Sequence, residues 1–341
     1  MTRLPAWAVV ALALLASSGA WAAEHARVIL VAGAPGLDEY GAQFAAWTTN
    51  WEQAARQANA NYTAIGLAPS NSLPSEPLLE ASTPSPSNTG QSSTNSVSDR
   101  EQLHAALDKE PKETTDELWL VFLGHGTYDG KDAKFNLRGP DVTAAELADW
   151  LKPFHRPIAV IIGSSSSGPF LKLLSAPGRV IVTSTRSGFE QNYSRFGRFL
   201  SEAIANPQAD LDKDGQVSLL EAFLYASRQV AEFYTVEGRL ATEHALLDDN
   251  GDGLGTPADW FRGVRAVKKS VEHAAPDGLR AHQFHLIRGE ADRNLTTEQR
   301  QRRDQLEFEI AALRDKKAQL GEDEYYRQLE TTLLKLAEFY R

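Results

Sequence analysis

The chain has 341 residues, 42% of them hydrophobic, which is enough for a sizeable core in one large or two ordinary domains. Its 35 Lys and Arg against 45 Asp and Glu give a net charge of −10, which argues against nucleic acid or an anionic membrane surface as the main partner. The absence of cysteine excludes disulfides, a thiol nucleophile and a lipid anchor on cysteine.

Residues 1–22 have the pattern of a cleavable secretory signal. Arg3 supplies the positive charge, residues 6–15 form an apolar run, and a small-x-small sequence ends at Ala22. The apolar run is short for a membrane span, so an uncleaved anchor is the less favoured alternative. We therefore expect a secreted or periplasmic protein, cut near Ala22, without a stable membrane anchor.

Apolar strands alternate with amphipathic helices in the first 195 residues. In chain order, the pattern predicts a strand at 27–33, a helix at 39–58, a helix at Asp99–Lys109 with Asp99 as N-cap, a strand at Leu118–Leu123, a helix at 143–151, and strands at 157–163 and Arg179–Thr183. This alternation predicts an α/β fold with a mostly parallel sheet flanked by helices. Thr143 and Glu146 fit a capping box. Residues 69–98, rich in Ser, Thr, Pro and Asn, are expected to form a flexible loop.

A histidine and a serine follow two of these predicted strands. His125 lies between two glycines just after Leu118–Leu123, and Ser165 lies among four serines after the 157–163 strand. A right-handed crossover places such strands side by side, so both residues reach the sheet edge where open α/β proteins bind ligands. A histidine can act as general base toward a hydroxyl, and the N–H groups of Gly126 and Ser165 can bind an oxyanion. Because Ser-rich turns and Gly-His-Gly are each common, two plain loops are the alternative.

The segment from Asp210 to Glu221 matches a calcium-binding EF-hand loop at every constrained position. The candidate ligands in this loop are Asp210, Asp212, Asp214, Gln216 through its carbonyl, Ser218 and Glu221. A second loop repeats the first half of the motif, with candidate ligands Asp248, Asn250, Asp252 and Asp259. We expect Ca²⁺ in the first loop in a structural role, and leave the second open between calcium and an acidic turn. His282 and His285 are expected to be packed or solvated rather than metal ligands.

Residues 295–341 carry a helical pattern of apolar residues at steps of three and four. The pattern occurs in two runs separated by Gly321, which is expected to cap the first helix at its C-terminus. Thr296 and Gln299 fit a capping box at the start. We predict an antiparallel helical hairpin or short coiled coil, which offers a surface for self-association.

Several segments, in order, resemble the legumain- and caspase-like cysteine peptidases of clan CD, in particular their bacterial exported relatives. They are residues 120–126, 135–141, 162–168, 179–188 and 196–197, within a resemblance that covers about residues 26–290. It implies a caspase-like sheet with His125 as general base, Gly126 in the oxyanion hole and Ser165 at the position of the nucleophilic cysteine. It implies more weakly that Ser184 and Arg186 contribute to the first specificity pocket.

Serine at position 165 departs from that family's pattern. A thiol is partly ionised near neutral pH, whereas a serine hydroxyl needs a well-aligned base, so loss of peptidase activity is the favoured expectation. The predicted function is a pseudoenzyme repurposed to bind a protein or peptide. One alternative is an active hydrolase with Ser165 as nucleophile and His125 as base, where Asp129 either orients the imidazole or is a turn residue. The other is a calcium-stabilised scaffold.

The sequence thus predicts four parts of the chain. They are a signal peptide (1–22), a caspase-like α/β domain (23–195), a helical extension with EF-hand-like loops (196–290) and a helical hairpin (295–341).

Overall fold

The computed structural model describes residues 25–67, 97–270 and 275–340. The expected signal peptide and nearly all of the 69–98 segment lie outside these residues, so both stay predictions. Within the described ranges, no helix combines the length and the apolar character that a membrane span needs.

A mostly parallel sheet forms the centre of the described fold. The strands are β1 (Arg27–Ala32), β2 (Asn61–Ile65), β3 (Leu118–Leu123), β4 (Gly126–Tyr128), β5 (Ala133–Phe135), β6 (Val142–Thr143), β7 (Ile158–Gly163), β8 (Arg179–Thr183), β9 (Leu246–Asp248), β10 (Thr256–Pro257), β11 (Phe261–Arg262) and β12 (Arg265–Ala266). Among the described residues, seven strands make the main sheet in the order β10-β9-β8-β7-β3-β1-β2. The strands from β8 to β2 are parallel, whereas β9 and β10 join antiparallel. The predicted α/β class is confirmed.

Helices cover both faces of this sheet. The described helices are α1 (Asp38–Gln57), α2 (Asp99–Lys109), α3 (Ala144–Leu151), α4 (Gly168–Leu174), α5 (Phe196–Ala203), α6 (Leu219–Val236), α7 (Leu279–Gln283), α8 (Glu290–Arg293), α9 (Thr297–Asp315) and α10 (Glu322–Ala337). Trp51, Trp119 and Phe223 belong to the core under α1, α5 and α6, and Leu103 and Phe122 to the core under α2, α3 and α4. The fully buried strand β3 alternates its side chains between these two cores, which explains its unbroken apolar sequence.

The cap of α2 differs from the prediction. The N-cap is Ser98, whose Oγ accepts from Glu101 N at 3.3 Å while the Glu101 carboxylate accepts from Ser98 N at 2.9 Å. Asp99 instead accepts from the Arg138 main chain at 3.3 Å, so its carboxylate is used in a tertiary contact. The Thr143 capping box has its predicted members.

Residues 196–290 share the core of the sheet rather than forming a separate one. Leu200 of α5, Phe223 of α6 and Leu247 of β9 lie in one buried cluster with Trp119. β9 extends the sheet, with Leu247 opposite Val182 of β8. A strand of three residues carries too little periodicity to be recognised in a sequence.

The C-terminal helices form a hairpin in which the two members are buried unequally. α9 buries Leu306, Ile310 and Leu313, whereas α10 buries Tyr325 and leaves Leu333 43% exposed. Gly321 is the N-cap of α10, with an extended backbone at φ −64 and ψ 150, and not the expected C-cap of α9. A C-cap glycine would need a left-handed conformation, which this residue does not adopt. Self-association through the hairpin stays a prediction.

His285 predicts a dependence of stability on pH. Burial lowers the pKa of this imidazole to about 3, from 6.5. The His285 imidazole of the unfolded chain therefore takes up a proton near pH 6.5, whereas that of the folded chain stays neutral down to about pH 3. Stability is consequently lost as pH falls from about 6.5 toward 3. Between pH 7 and pH 5, we expect the free energy of unfolding to fall by about 2 kcal/mol more in the wild type than in His285→Gln. Urea unfolding at both pH values measures this, and equal losses would contradict it.

Candidate functional site

The structure places His125 and Ser165 at one edge of the sheet. β3 and β7 are parallel neighbours with Leu123 opposite Gly163, and each site residue follows its strand by two positions. The strand β4 begins at Gly126 and passes close to the turn formed by residues 164–167 (the serine turn). The N and O of Gly126 lie 3.4 and 3.1 Å from Ser165 Oγ. The carboxyl ends of adjacent strands thus assemble the pair that strand order predicts.

Gly126 is required by this close approach. A Cβ built on it would lie 2.3 Å from Ser165 O and 2.9 Å from Ser164 Oγ. Both distances are below van der Waals contact, so any side chain here would push the serine turn away from β4.

His125 is held as a neutral base with a defined tautomer. Its Nε2 lies 3.2 Å from Pro35 O, and because a carbonyl only accepts, Nε2 carries the proton and Nδ1 is the basic nitrogen. The rings of Tyr40, Phe44 and Tyr193 surround the imidazole, with centroids 4.9, 5.3 and 5.8 Å away. Burial lowers the pKa of His125, which keeps the ring unprotonated at neutral pH.

The serine hydroxyl is turned toward β4 rather than toward this base. Ser165 Oγ donates to Gly126 O at 3.1 Å and accepts from Gly126 N at 3.4 Å. In the described structure, neither ring nitrogen of His125 is hydrogen-bonded to that hydroxyl. The hydroxyl therefore donates its hydrogen bond to the Gly126 carbonyl. It also accepts from the Gly126 N–H, which is the donor that a developing oxyanion would need.

Asp129 does not orient the imidazole. Its Oδ1 accepts from the main-chain N–H groups of Lys131 and Asp132 at 2.9 and 2.8 Å, which closes the turn between β4 and β5. The sequence allowed Asp129 either to orient the imidazole or to form a turn, and in the structure it forms the turn.

The serine turn is strained and is held by the loop that follows β8. Ser166 has φ +55, in the left-handed region, and its N–H donates to Glu190 O at 2.9 Å. Thr185 N donates to Ser167 Oγ at 3.1 Å, and the Thr185 hydroxyl accepts from Gly168 N at 3.1 Å. Non-glycine residues in this region are uncommon and concentrate at functional sites, where surrounding contacts enforce them.

The two weaker candidates, Ser184 and Arg186, lie in different surroundings. Ser184 is fully buried, and its Oγ donates to Ile162 O at 3.1 Å. Arg186 is exposed and forms an ion pair with Glu190, with Nε and Oε1 3.2 Å apart. The same Glu190 oxygen lies 2.6 Å from His244 Nδ1. Only Arg186 presents its side chain at the surface.

The first acidic loop brings its carboxylates together. One oxygen from each of Asp210, Asp212 and Asp214 lies within 4.8 Å of the others, and the ligand atoms of Asp212, Glu221 and His282 form a second such group. Partial burial raises the pKa of Asp214, and the neighbouring carboxylates of Asp212 and Glu221 add a repulsion that a cation would relieve. These hard oxygen donors on one short loop fit Ca²⁺.

The other predicted ligands of this loop also have partners within the protein. Ser218 is the N-cap of α6, and its Oγ accepts from Glu221 N at 3.2 Å. The buried carboxylate of Glu221 accepts from Leu211 N at 2.7 Å. Gln216 Oε1 accepts from Gly289 N at 2.9 Å, which ties the loop to the chain that follows α7.

The second acidic loop uses its predicted ligands in hydrogen bonds within the loop. Asp248 accepts from two main-chain N–H groups of the loop at 3.0 and 3.1 Å, and Asn250 and Asp252 accept from others. Asp259 lies in the 3₁₀ turn Ala258–Trp260, and in the described chain it forms no group of ligand atoms with Asp248 and Asp252.

Several residues that shape the site were not predicted for it. Pro35 supplies the carbonyl that fixes the His125 tautomer, and Tyr193 forms part of its aromatic surroundings. Tyr40 and Phe44 of α1 complete those surroundings. The local sequence carries no signal for such contacts, because they join residues far apart in the chain, 90 positions in the case of Pro35 and His125.

Comparisons with known proteins give weak similarities. No protein-family model matches the chain, and no curated protein does. Solved structures with partial similarity include the Drosophila initiator caspase Dronc (12% identity over 67% of this chain and 81% of that one, TM-score 0.41) and caspase-1 from Spodoptera frugiperda (11%, 66% and 87%, 0.37). Another is Raptor from Chaetomium thermophilum (10%, 54% and 19%, 0.32). These values do not assign the chain to a family.

Proposed function

We propose that this protein is a caspase- and legumain-like peptidase homologue that does not hydrolyse peptides and instead binds a peptide or protein segment at the His125–Ser165 site. The observation that carries the proposal is the orientation of the Ser165 hydroxyl, which is bonded to both main-chain groups of Gly126. The sequence supports the same proposal, because several segments resemble that family in the same order and a serine stands at the position of its nucleophilic cysteine.

The lack of activity follows from the chemistry of a hydroxyl. Serine becomes a nucleophile when a base takes its proton as it attacks, which requires the hydroxyl to face that base. Here Ser165 would have to break two hydrogen bonds and rotate before His125 could act on it. Among the described residues, no carboxylate is hydrogen-bonded to the imidazole, and the partner of its Nε2 is the carbonyl of Pro35.

Exposed apolar side chains near the site favour a peptide as the ligand. Phe189 is 75% exposed and packs edge-on against Tyr128, with ring centroids 5.2 Å apart. Leu37, which follows β1 and the Pro35 carbonyl, is 60% exposed. Exposed aromatic and apolar side chains are typical of protein-binding surfaces.

An active serine hydrolase is the second candidate, because the neutral His125 with basic Nδ1 has the protonation state that a general base needs. A fluorophosphonate probe separates the two. We expect the folded wild type to remain unlabelled, as Ser165→Ala does, under conditions in which an authentic serine hydrolase is labelled completely. Labelling of the wild type that Ser165→Ala abolishes would overturn the proposal and establish the hydrolase.

We further propose that Ca²⁺ binds the first acidic loop and has a structural role. Asp210, Asp212, Asp214 and Glu221 would hold the ion, together with the carbonyl of Gln216. The loop connects α5 to α6 and contacts the chain around α7 through Asp212 to His282 at 2.9 Å. A bound ion would neutralise the clustered carboxylates and stabilise this junction.

Calcium is therefore expected to raise the melting temperature. At a concentration about 100 times the dissociation constant, a ligand of the folded state adds about 2.7 kcal/mol, so we expect a rise of about 5 °C or more over the sample with EDTA. Asp214→Asn should lose most of this shift, and Asp252→Asn in the second loop is the matched control that should keep it. Differential scanning calorimetry measures the shift; an unchanged midpoint in the wild type would contradict the proposal.

A further inference from the structure

A groove of about 620 Å³ lies between the β11–β12 strand pair and the two C-terminal helices, and we call it the α10 groove. Val264 and Val267 line one wall, and Ile310 of α9 with Leu333 and Leu336 of α10 line the other. Val267 is 50% exposed and Leu333 is 43% exposed. Apolar side chains that stay open to solvent in a groove of this size are typical of a binding surface.

The strand pair that forms the first wall is held firmly by the core. The ring of Phe261 lies 6.4 Å from that of Phe223, and a Cβ built on Gly278 would lie 2.6 Å from the Phe261 ring. Val267 N donates to Trp260 O at 2.8 Å, which continues the pairing beyond the two strands. The wall is therefore preformed, so a ligand would not have to order it on binding.

This strand pair carries two arginines directly opposite each other. Arg262 of β11 is paired in register with Arg265 of β12, and both side chains are exposed. Residues opposite each other in an antiparallel pair project from the same face, where like charges are destabilising. Within the described chain neither arginine forms an ion pair, and Arg265 lines the α10 groove. A carboxylate placed between them would replace this repulsion with attraction.

The carboxylates that line the α10 groove are already used within the protein. Asp315 is paired with Lys269 at 2.8 Å, and Glu307 accepts from Gln283 Nε2 at 2.8 Å. The buried Asp277 accepts from two main-chain N–H groups at 3.0 and 3.2 Å. These groups therefore do little to neutralise the arginines at the rim.

The remaining charge of the groove is positive. Arg314 lines the groove from α9, is exposed, and has no ion-pair partner among the described residues. Lys268 lies exposed beside Val267, with its ammonium 5.9 Å from the Trp260 ring. In a chain whose net charge is −10, this is a local basic rim around apolar walls.

We propose that the α10 groove is a docking site for an acidic, amphipathic segment of a partner protein. Its apolar side chains would enter between Val267 and Leu333, and its carboxylates would pair with Arg265 and Arg314. The apolar walls favour a protein over nucleic acid, which is bound mainly through its phosphates, and the concave shape favours a protein over a flat membrane surface. The groove is separate from the His125–Ser165 site, and the inference does not rest on peptide binding there.

Three labelled peptides test the chemistry of the partner. They repeat Leu-Glu-Glu-Leu, Leu-Lys-Lys-Leu or Ala-Glu-Glu-Ala four times, so that the charge or the bulky apolar side chains change separately. We expect saturable binding of the first by fluorescence anisotropy and at least tenfold weaker binding of the other two. If the lysine peptide or the alanine peptide binds as tightly as the first, the proposed recognition is wrong.

A charge-reversing variant locates this binding. Arg265→Glu should weaken binding of the Leu-Glu-Glu-Leu peptide at least tenfold. The variant places opposite charges across the strand pair, so its melting temperature should be at least as high as that of the wild type, which excludes damage to the fold. Arg239→Glu changes the net charge equally at an exposed position outside the groove and should leave binding unchanged. Equal binding by both variants would overturn the proposal.

Two neighbouring leucines of α10 test the apolar wall. Leu333→Gln should weaken binding of the same peptide at least threefold, because Leu333 lines the groove. Leu334→Gln is the matched control, since Leu334 is 59% exposed and does not line it. If the control loses as much affinity as Leu333→Gln, the peptide does not occupy the groove.

Other occupants of the groove are tested with the same variants. We expect sedimentation velocity to show no dimer that Leu333→Gln dissociates. We also expect no binding to vesicles of phosphatidylcholine and phosphatidylglycerol in equal parts that Arg265→Glu abolishes. The first result would assign the groove to a second copy of the chain and the second to a membrane surface, and either would overturn the proposal.

Discussion

Replacing Ser165 with cysteine is expected to give a thiol that iodoacetamide alkylates at least tenfold faster than the same thiol in the double variant with His125→Ala. A thiol ionises far more readily than a hydroxyl, and the neutral imidazole of His125 can accept its proton through Nδ1. Release of the Gly126 N–H from the serine hydroxyl would also free a donor for an oxyanion. We expect measurable hydrolysis of a peptide mixture to accompany the reactivity.

The chain offers a clean control for this experiment because it has no cysteine of its own. Ser187→Cys places a single thiol in the neighbouring loop at a more exposed position than Ser165, which is 4% exposed. If a thiol at position 165 is alkylated faster than one at the more exposed position 187, the difference reflects activation of the thiol and not its accessibility. Equal rates with and without His125 would mean that this histidine does not act on position 165.

Gly126→Ala is expected to lower the free energy of unfolding by about 3 kcal/mol. The added Cβ would lie 2.3 Å from Ser165 O, a backbone atom that moves only with the whole serine turn. That turn is fixed by Thr185 and Glu190, so the strain has little room to relax. Urea unfolding of the variant and the wild type measures the difference.

Gly41→Ala is the matched control for this change. Gly41 lies inside α1, and a Cβ there would meet Pro35 Cβ at 3.5 Å, an ordinary contact. Alanine is the better helix former, so we expect this variant to gain about 0.5–1 kcal/mol. If both alanines had the same small effect, close packing of β4 against the serine turn would not be the reason for the glycine at 126.

The parts of the fold that could be predicted are those that repeat a local rule over many residues. Leu118–Leu123 and Arg179–Thr183 have their predicted bounds, since a strand buried on both faces is built around consecutive apolar residues. Parallel order then places the ends of β3 and β7 together. In contrast, β9 and β10 span three and two residues, and their pairing depends on a chain reversal that no periodicity reports.

Within the site, residue types could be predicted and orientations could not. His125 and Ser165 could be predicted as a pair because each of them follows the end of its strand, and the two strands are neighbours. The rotation of one hydroxyl depends on the distance between β4 and the serine turn, which is a tertiary property. The acidic loops show the same limit. Asp210, Asp212 and Asp214 converge because their geometry is local. Asp259 follows β10 and, among the described residues, forms no group of ligand atoms with Asp248 and Asp252.

The short strand β10 has a consequence for how copies of the protein can meet. It forms one outer edge of the main sheet with only two residues, and the second is Pro257, which has no N–H to donate. An incoming strand would find almost no main-chain groups to bond, so growth of the sheet from one molecule to the next is blocked at this end. At this end of the sheet, contacts between copies would have to use side chains instead.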